Sequence, residues 1–157
     1  MKDRFAAGDL KTLDIELLQD RFLNKSVFGI VLIEGGNAGL CSGPTNRKEK
    51  CRLCFSYFSD FSSRDKLVKS GPGYLCVFEK SFLSGLLRER VLKLPMFTPG
   101  SSVEYVLSEQ DYEKVSHLFL RIIQEQNSSY QYKFDLIRTY LTQLLHLVMK
   151  MGEEAVS

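Results

Sequence analysis

The sequence predicts a mainly β fold with C-terminal α structure: a small β-barrel or sandwich followed by two long amphipathic helices. Three observations carry this expectation. Short apolar segments of strand character occupy the first two thirds of the chain, Gly and Pro turn signals separate them, and from Ser108 onward the apolar period is helical. With 157 residues, 44% of them hydrophobic, the chain has the size of one ordinary domain and enough apolar side chains for a substantial core.

The elements follow in order. Leu13, Ile15 and Leu17 alternate with Asp14 and Glu16, as in a half-buried strand, and residues 27–33 form a continuous, partly β-branched apolar run bounded by Gly35-Gly36-Asn37. Residues 51–58 alternate, with Leu53, Phe55 and Tyr57 on one face. After the turn at Gly71-Pro72-Gly73, residues 74–78 are again nearly all apolar, and residues 103–107 repeat the strand pattern after Pro99-Gly100. Between these last two strands, Phe82, Leu83, Leu86, Leu87, Val91 and Leu92 have helical spacing interrupted by Gly85. That predicts a short helix over 80–92, ended before Pro95.

The first long helix should begin at Ser108, whose side-chain oxygen can cap the first turn, with Asp111 where a capping box has Glu. Tyr112, Val115, Leu118, Phe119, Ile122 and Ile123 form its single apolar stripe. After a break at Asn127-Ser128-Ser129, the second helix carries two adjoining stripes. One contains Phe134, Ile137, Leu141, Leu144, Leu145 and Val148; the other contains Leu136, Tyr140, Leu147 and Met151. At ~100° per residue the two span on the order of 220° of the helix surface, more than one packing partner covers. The second partner is either the rest of the same chain, with the helix wedged between the barrel and the first long helix, or the same helix of another copy.

Charge and cysteine usage narrow the function classes. The net charge of +2 arises from 21 basic and 19 acidic residues interspersed along the chain, which lacks the surplus that drives phosphate-backbone binding. Arg47, Lys48, Lys50 and Arg52 cluster around Glu49 and fit a solvated loop leading into a strand, and residues 59–70 fit an exposed loop between strands. No signal-peptide pattern opens the sequence and no apolar run reaches the ~18–20 residues of a spanning helix, so a soluble, cytoplasmic protein is expected. There its cysteines, Cys41, Cys51, Cys54 and Cys76, would stay reduced.

The order of blocks GYLCVFEKSFL (73–83), LPMF (94–97), LSEQDYEKVSHLFLRIIQEQ (107–126) and SSYQYKFDLIRTYLTQLLHLVMKM (128–151) resembles the N-terminal sensing domain of AraC-type transcription regulators. That domain is cupin-like, a jelly-roll barrel preceding a pair of helix-turn-helix modules, and the likeness covers the chain from Leu13 onward. The resemblance implies a cupin-like sensing region over 1–107, a two-helix dimerisation element over 108–151, and a tail or start of a linker over 152–157. It implies a small-molecule effector inside the barrel; Phe28, Phe55, Tyr57 and Tyr74 are the candidate inward-facing residues, which no family motif fixes as contacts, and small barrels are often filled by their own side chains. It further implies a homodimer through the last helix, with Leu136, Tyr140, Gln143 and Leu147 facing the partner. Residues 152–157 cannot hold a helix-turn-helix, so DNA would be reached only through a domain not in this chain. The alternative is a free-standing cupin-like small-molecule-binding protein.

Enzyme chemistry is not expected, nor is a cofactor. Metal-binding cupins hold their ion with three histidines and a carboxylate on barrel strands, whereas His117 and His146 are the only histidines here and both fall in the helical half. Cys51 and Cys54 have the spacing of half a zinc site, but on an alternating strand they point to opposite faces. No acidic partner is placed to orient either histidine for nucleophilic catalysis. Residues 34–39 are Gly-rich after a strand but lack the G-x-G-x-x-G order, and read as a hairpin turn.

Overall fold

Five strands form one antiparallel sheet in a computed structural model that describes residues 4–22, 26–34, 51–58, 72–94 and 102–156. They are β1 (Phe5–Asp9), β2 (Val27–Ile33), β3 (Arg52–Tyr57), β4 (Gly73–Glu79) and β5 (Ser102–Val106), in the order β1-β4-β2-β3-β5. The turn expected at 35–39, Cys41, the basic residues 47–50, the loop at 59–70, Pro95 and Pro99-Gly100 lie outside the described residues. Among the described residues the sheet is open, with β1 and β5 as its edges, and the closed barrel expected from the strand count is not formed. Closure would need a strand against the outer edge of β1, and at Ala7 that edge is occupied by a side chain, Gln126.

Both faces of the sheet are buried, which explains why β2 reads as an unbroken apolar run. On one face Phe28, Ile30, Leu32, Leu53, Phe55, Cys76 and Phe78 join the core shared with the long helices. On the other, Val27, Val31, Ile33, Cys54, Leu75 and Val77 pack with a short helix, α1 (Ile15–Arg21). Each such side chain taken fully out of water contributes ~1.5–3 kcal/mol before the entropy of ordering it is subtracted.

Helix α1 corrects the strand expected over 13–17. Asp14 caps it by accepting from the Leu17 N–H at 3.0 Å, and Ile15, Leu18 and Phe22 form the buried stripe while Leu17 stays 62% exposed. Strand β1 has no counterpart in the sequence reading, because Ala6, Ala7 and Gly8 are weak strand formers, and its pairing with β4 from Phe5↔Phe78 to Asp9↔Tyr74 is what holds it. At the start of β4, a Cβ on Gly73 would lie 2.0 Å from the Leu32 carbonyl oxygen, so only glycine fits there.

The helix expected over 80–92 is two pieces. Lys80–Phe82 is a single 3₁₀ turn, and α2 is Gly85–Val91, so Phe82 and Leu83 are buried ahead of the helix and Leu86 points to solvent. Helix α3 (Glu109–Gln126) begins as expected, with the Ser108 Oγ accepting from the Asp111 N–H at 3.1 Å, and buries Val115, Leu118, Phe119 and Ile122. Helix α4 (Lys133–Val156) starts after residues 127–132, where Lys133 Nζ donates to the carbonyls of Gln126 and Ser128 and closes the turn. It runs on through residues 152–156, which had been expected as tail.

Helix α4 crosses the helix-covered face of the sheet from the β1 side to the β5 side. At its start the Arg138 guanidinium lies 4.6 Å from the Phe82 ring centroid while its Nε donates to the Phe82 carbonyl, and Phe82 in turn stacks on Phe5 of β1. Near its end, Gly152 approaches the hydroxyl of Tyr105 on β5. No helix among the described residues is long and apolar enough to cross a membrane.

Candidate functional site

Antiparallel packing of α3 on α4 leaves a groove of about 430 Å³ on the outer side of the pair. From α3 it takes Lys114, His117, Leu118 and Arg121, and from α4 Gln143, His146, Leu147 and Lys150. Each set has the spacing i, i+3, i+4, i+7, one face of a helix, so the groove follows from two helical stripes brought together by the turn at 127–132. Leu118 is buried and Leu147 half-buried, giving an apolar floor, while the charged and imidazole side chains stand exposed around it.

Electrostatically the groove is one-sided. Lys114, Arg121 and Lys150 bring three positive charges, and the lining contains no carboxylate. Arg121 lies 6.0 Å from the Tyr140 ring centroid, a cation–π contact across the helix pair. Both histidines of the chain line this groove, a juxtaposition that sequence reasoning missed. The signal was present: His117 and His146 each sit four residues from a lysine or arginine on the groove face, Arg121 on α3 and Lys150 on α4.

The residues expected at a dimer interface lie on the same side of α4. Leu136, Tyr140 and Leu147 are half-buried and Gln143 is exposed, whereas Ile137, Leu141, Leu144, Leu145 and Val148 are fully withdrawn into the chain's own core. The two stripes therefore have different fates. The first is almost wholly consumed by intrachain packing, and the second is only partly covered, with Tyr140, Leu147 and Met151 packed along the edge of the same core.

The four residues expected to contact an effector all belong to the helix-covered face of the sheet. Phe28 and Phe55 are buried and serve as core: Phe28 lies 4.7 Å from Tyr57 and 5.7 Å from Phe78, centroid to centroid. Tyr57 and Tyr74 are half-buried, and Tyr74 stacks on Phe119 of α3 at 5.9 Å. Burial, and then the Glu34 carboxylate at the end of β2, push the phenols of Tyr74 and Tyr112 upward in pKa, so Glu34, Tyr74 and Tyr112 form a polar corner beside the core.

Other chemistry finds little footing. Cys51 packs with the helix-side core and Cys54 with the α1 side, on opposite faces as strand alternation requires. Cys76 is enclosed and its thiol is pushed far up by burial, the reverse of a reactive thiolate. Among the described residues no three His, Cys, Asp or Glu side chains gather as a metal site. Arg52, expected at the end of a basic loop, is instead buried in β3, with its Nε 3.1 Å from a Glu104 carboxylate oxygen. Neither a protein-family model nor a curated protein matches the chain.

Proposed function

We propose that this chain is the ligand-sensing and dimerisation domain of an AraC-type transcription regulator, binding a small molecule and controlling a DNA-binding domain outside this chain. The finer fold assignment, a cupin-like jelly roll, belongs to the same proposal. Support comes from the order of elements, an antiparallel sheet followed by two long packed helices. The observation that carries the reading is the second stripe of α4. Leu136, Tyr140 and Leu147 keep part of their surface accessible in a line after the chain has buried Ile137, Leu141 and Leu144 beside them. A two-fold axis would set this line against the same line of another copy, the isologous arrangement of a C₂ dimer.

On this reading the effector approaches the helix-covered face through its half-buried rim, Tyr57 and Tyr74, rather than the filled positions Phe28 and Phe55. Sedimentation of the parent chain and of Tyr140→Glu/Leu147→Glu, with thermal unfolding alongside, tests the assembly. A micromolar dimer is held by about 8 kcal/mol, and burying several unpaired charges costs enough to dissociate it. The expected result is a dimeric parent and a folded, monomeric variant. A parent that is monomeric at high concentration, or a variant that unfolds, would overturn the interface.

A further inference from the structure

We propose that the groove between α3 and α4 is a binding site for a small organic phosphate, with the phosphoryl group held by Lys114, Arg121 and Lys150 and the less polar remainder lying on Leu118 and Leu147. Of the three cations, Arg121 lies over the Tyr140 ring, and the two lysines are unspent. Elsewhere on α4 the long cationic side chains are engaged within the chain, Arg138 with Asp135 and the Phe82 carbonyl, and Lys133 with two carbonyls. In the groove, Lys114, Lys150 and both imidazoles make no hydrogen bond or ion pair among the described residues. Three like charges on two packed helices repel one another, and an anion seated among them turns that repulsion into attraction.

Shape and chemistry select the ligand class. About 430 Å³ is the space of a small-molecule pocket rather than of a lone ion or a docked helix. The buried floor removes water from one side and strengthens each charge interaction above it. Two imidazoles and the Gln143 amide add hydrogen-bond donors that a phosphoryl group, with several acceptor oxygens, can use together. A carboxylate offers fewer acceptors and a single charge.

One consequence rests on the dimer reading above. Gln143 and Leu147 belong both to the groove and to the expected interface, so pairing two copies through α4 brings the cations of both toward one another. A bound phosphate neutralises that charge, and association should strengthen when the groove is filled.

Isothermal titration and ¹H–¹⁵N spectra of the whole chain at low, matched ionic strength test the site, with phenyl phosphate as the ligand and benzyl alcohol and chloride as controls. Saturable binding of phenyl phosphate is expected, one per chain, with shifts at His117, Gln143 and His146 and none for benzyl alcohol. Lys114→Gln/Arg121→Gln/Lys150→Gln, altering exposed side chains only, should keep the melting profile and weaken binding by about tenfold or more. Absence of saturable binding at millimolar phenyl phosphate, or equal binding by the triple variant, overturns the site. Sedimentation of the same samples separates the two readings. A phosphate-bound monomer upholds the groove and defeats the dimer, and a dimer that forms without phosphate binding does the reverse.

Discussion

The side chain of Gln126, the last residue of α3, hydrogen-bonds in both directions to the backbone of Ala7 in β1: its Oε1 accepts from the Ala7 N–H at 2.9 Å and its Nε2 donates to the Ala7 carbonyl at 2.8 Å. A primary amide reproduces the donor–acceptor pair of a neighbouring strand. The edge of the sheet is thereby satisfied by a helix, which both docks α3 on β1 and blocks edge-to-edge pairing with another molecule.

Removing that amide should be costly for its size. Gln126→Ala leaves a part-buried N–H and carbonyl without their partner and is expected to lose about 1–3 kcal/mol of unfolding free energy in urea melts. Gln126→Glu, nearly isosteric, sets a carboxylate against the Ala7 carbonyl and should be at least as destabilising at neutral pH, with recovery in acid as the carboxyl gains a proton to donate. An innocuous Gln126→Glu would show that the contact holds no energy.

Much of this architecture is legible in the sequence, and the failures have physical causes. Strands β2 and β4 announce themselves because both sheet faces are buried there and their apolar runs are bounded by turn residues, and β3 through its alternation. Helix α3 announces itself through Ser108 and a stripe of helical period. Helix α1 was hidden because Leu13, Ile15 and Leu17 satisfy a period of two, while the informative set, Ile15, Leu18 and Phe22, belongs to a helix only seven residues long with Asp14 as its cap. The open sheet was hidden because closure depends on what covers β1, and that partner, Gln126, is 119 residues away in sequence. The groove escaped notice because each helix supplies half of it, and neither half has meaning until α3 and α4 are laid antiparallel.

The cap of α1 offers a direct check on that reassignment. Asp14→Ala should remove the bond to the Leu17 N–H and cost ~1 kcal/mol, whereas Asp14→Ser should cost a few tenths. If residues 13–17 were a strand, with residue 14 on its solvent face, the two substitutions would be alike. Chemical denaturation of both variants distinguishes the cases.

Arg52 and Glu104 test how a charge is tolerated inside the sheet. Arg52 is 1% exposed and Glu104 13%, and they meet diagonally across β3 and β5, since Arg52 pairs in register with Val106 and Cys54 with Glu104. Glu104→Leu takes the carboxylate away from a buried guanidinium and should cost about 3–5 kcal/mol, while Arg52→Met/Glu104→Leu should cost much less, because the buried charge goes with it. A double variant as unstable as the single one would mean that the two side chains act independently.

Alkaline pH should unfold this protein earlier than its carboxylate chemistry suggests, and the sign follows from four groups. Burial raises the Cys76 thiol above its ordinary value of 9.0, and burial raises the Tyr105 phenol above 10.0, as it does, aided by Glu34, for Tyr74 and Tyr112. A raised acid holds its proton in the folded chain at a pH where the unfolded chain has released it. Their contribution is therefore fully present below the ordinary values and is lost as pH climbs above them, so the unfolding free energy should be level near pH 8 and decline from about pH 9 upward. Tyr74→Phe/Tyr112→Phe removes two of the ionising groups, the two on which the Glu34 charge acts. Its stability should be lower than the parent's at neutral pH, where the phenol hydroxyls meet Glu34, yet should fall less steeply across the alkaline range. Urea melts of the two proteins at a series of pH values measure both slopes, and equal slopes would remove Tyr74 and Tyr112 as the source of the alkaline loss.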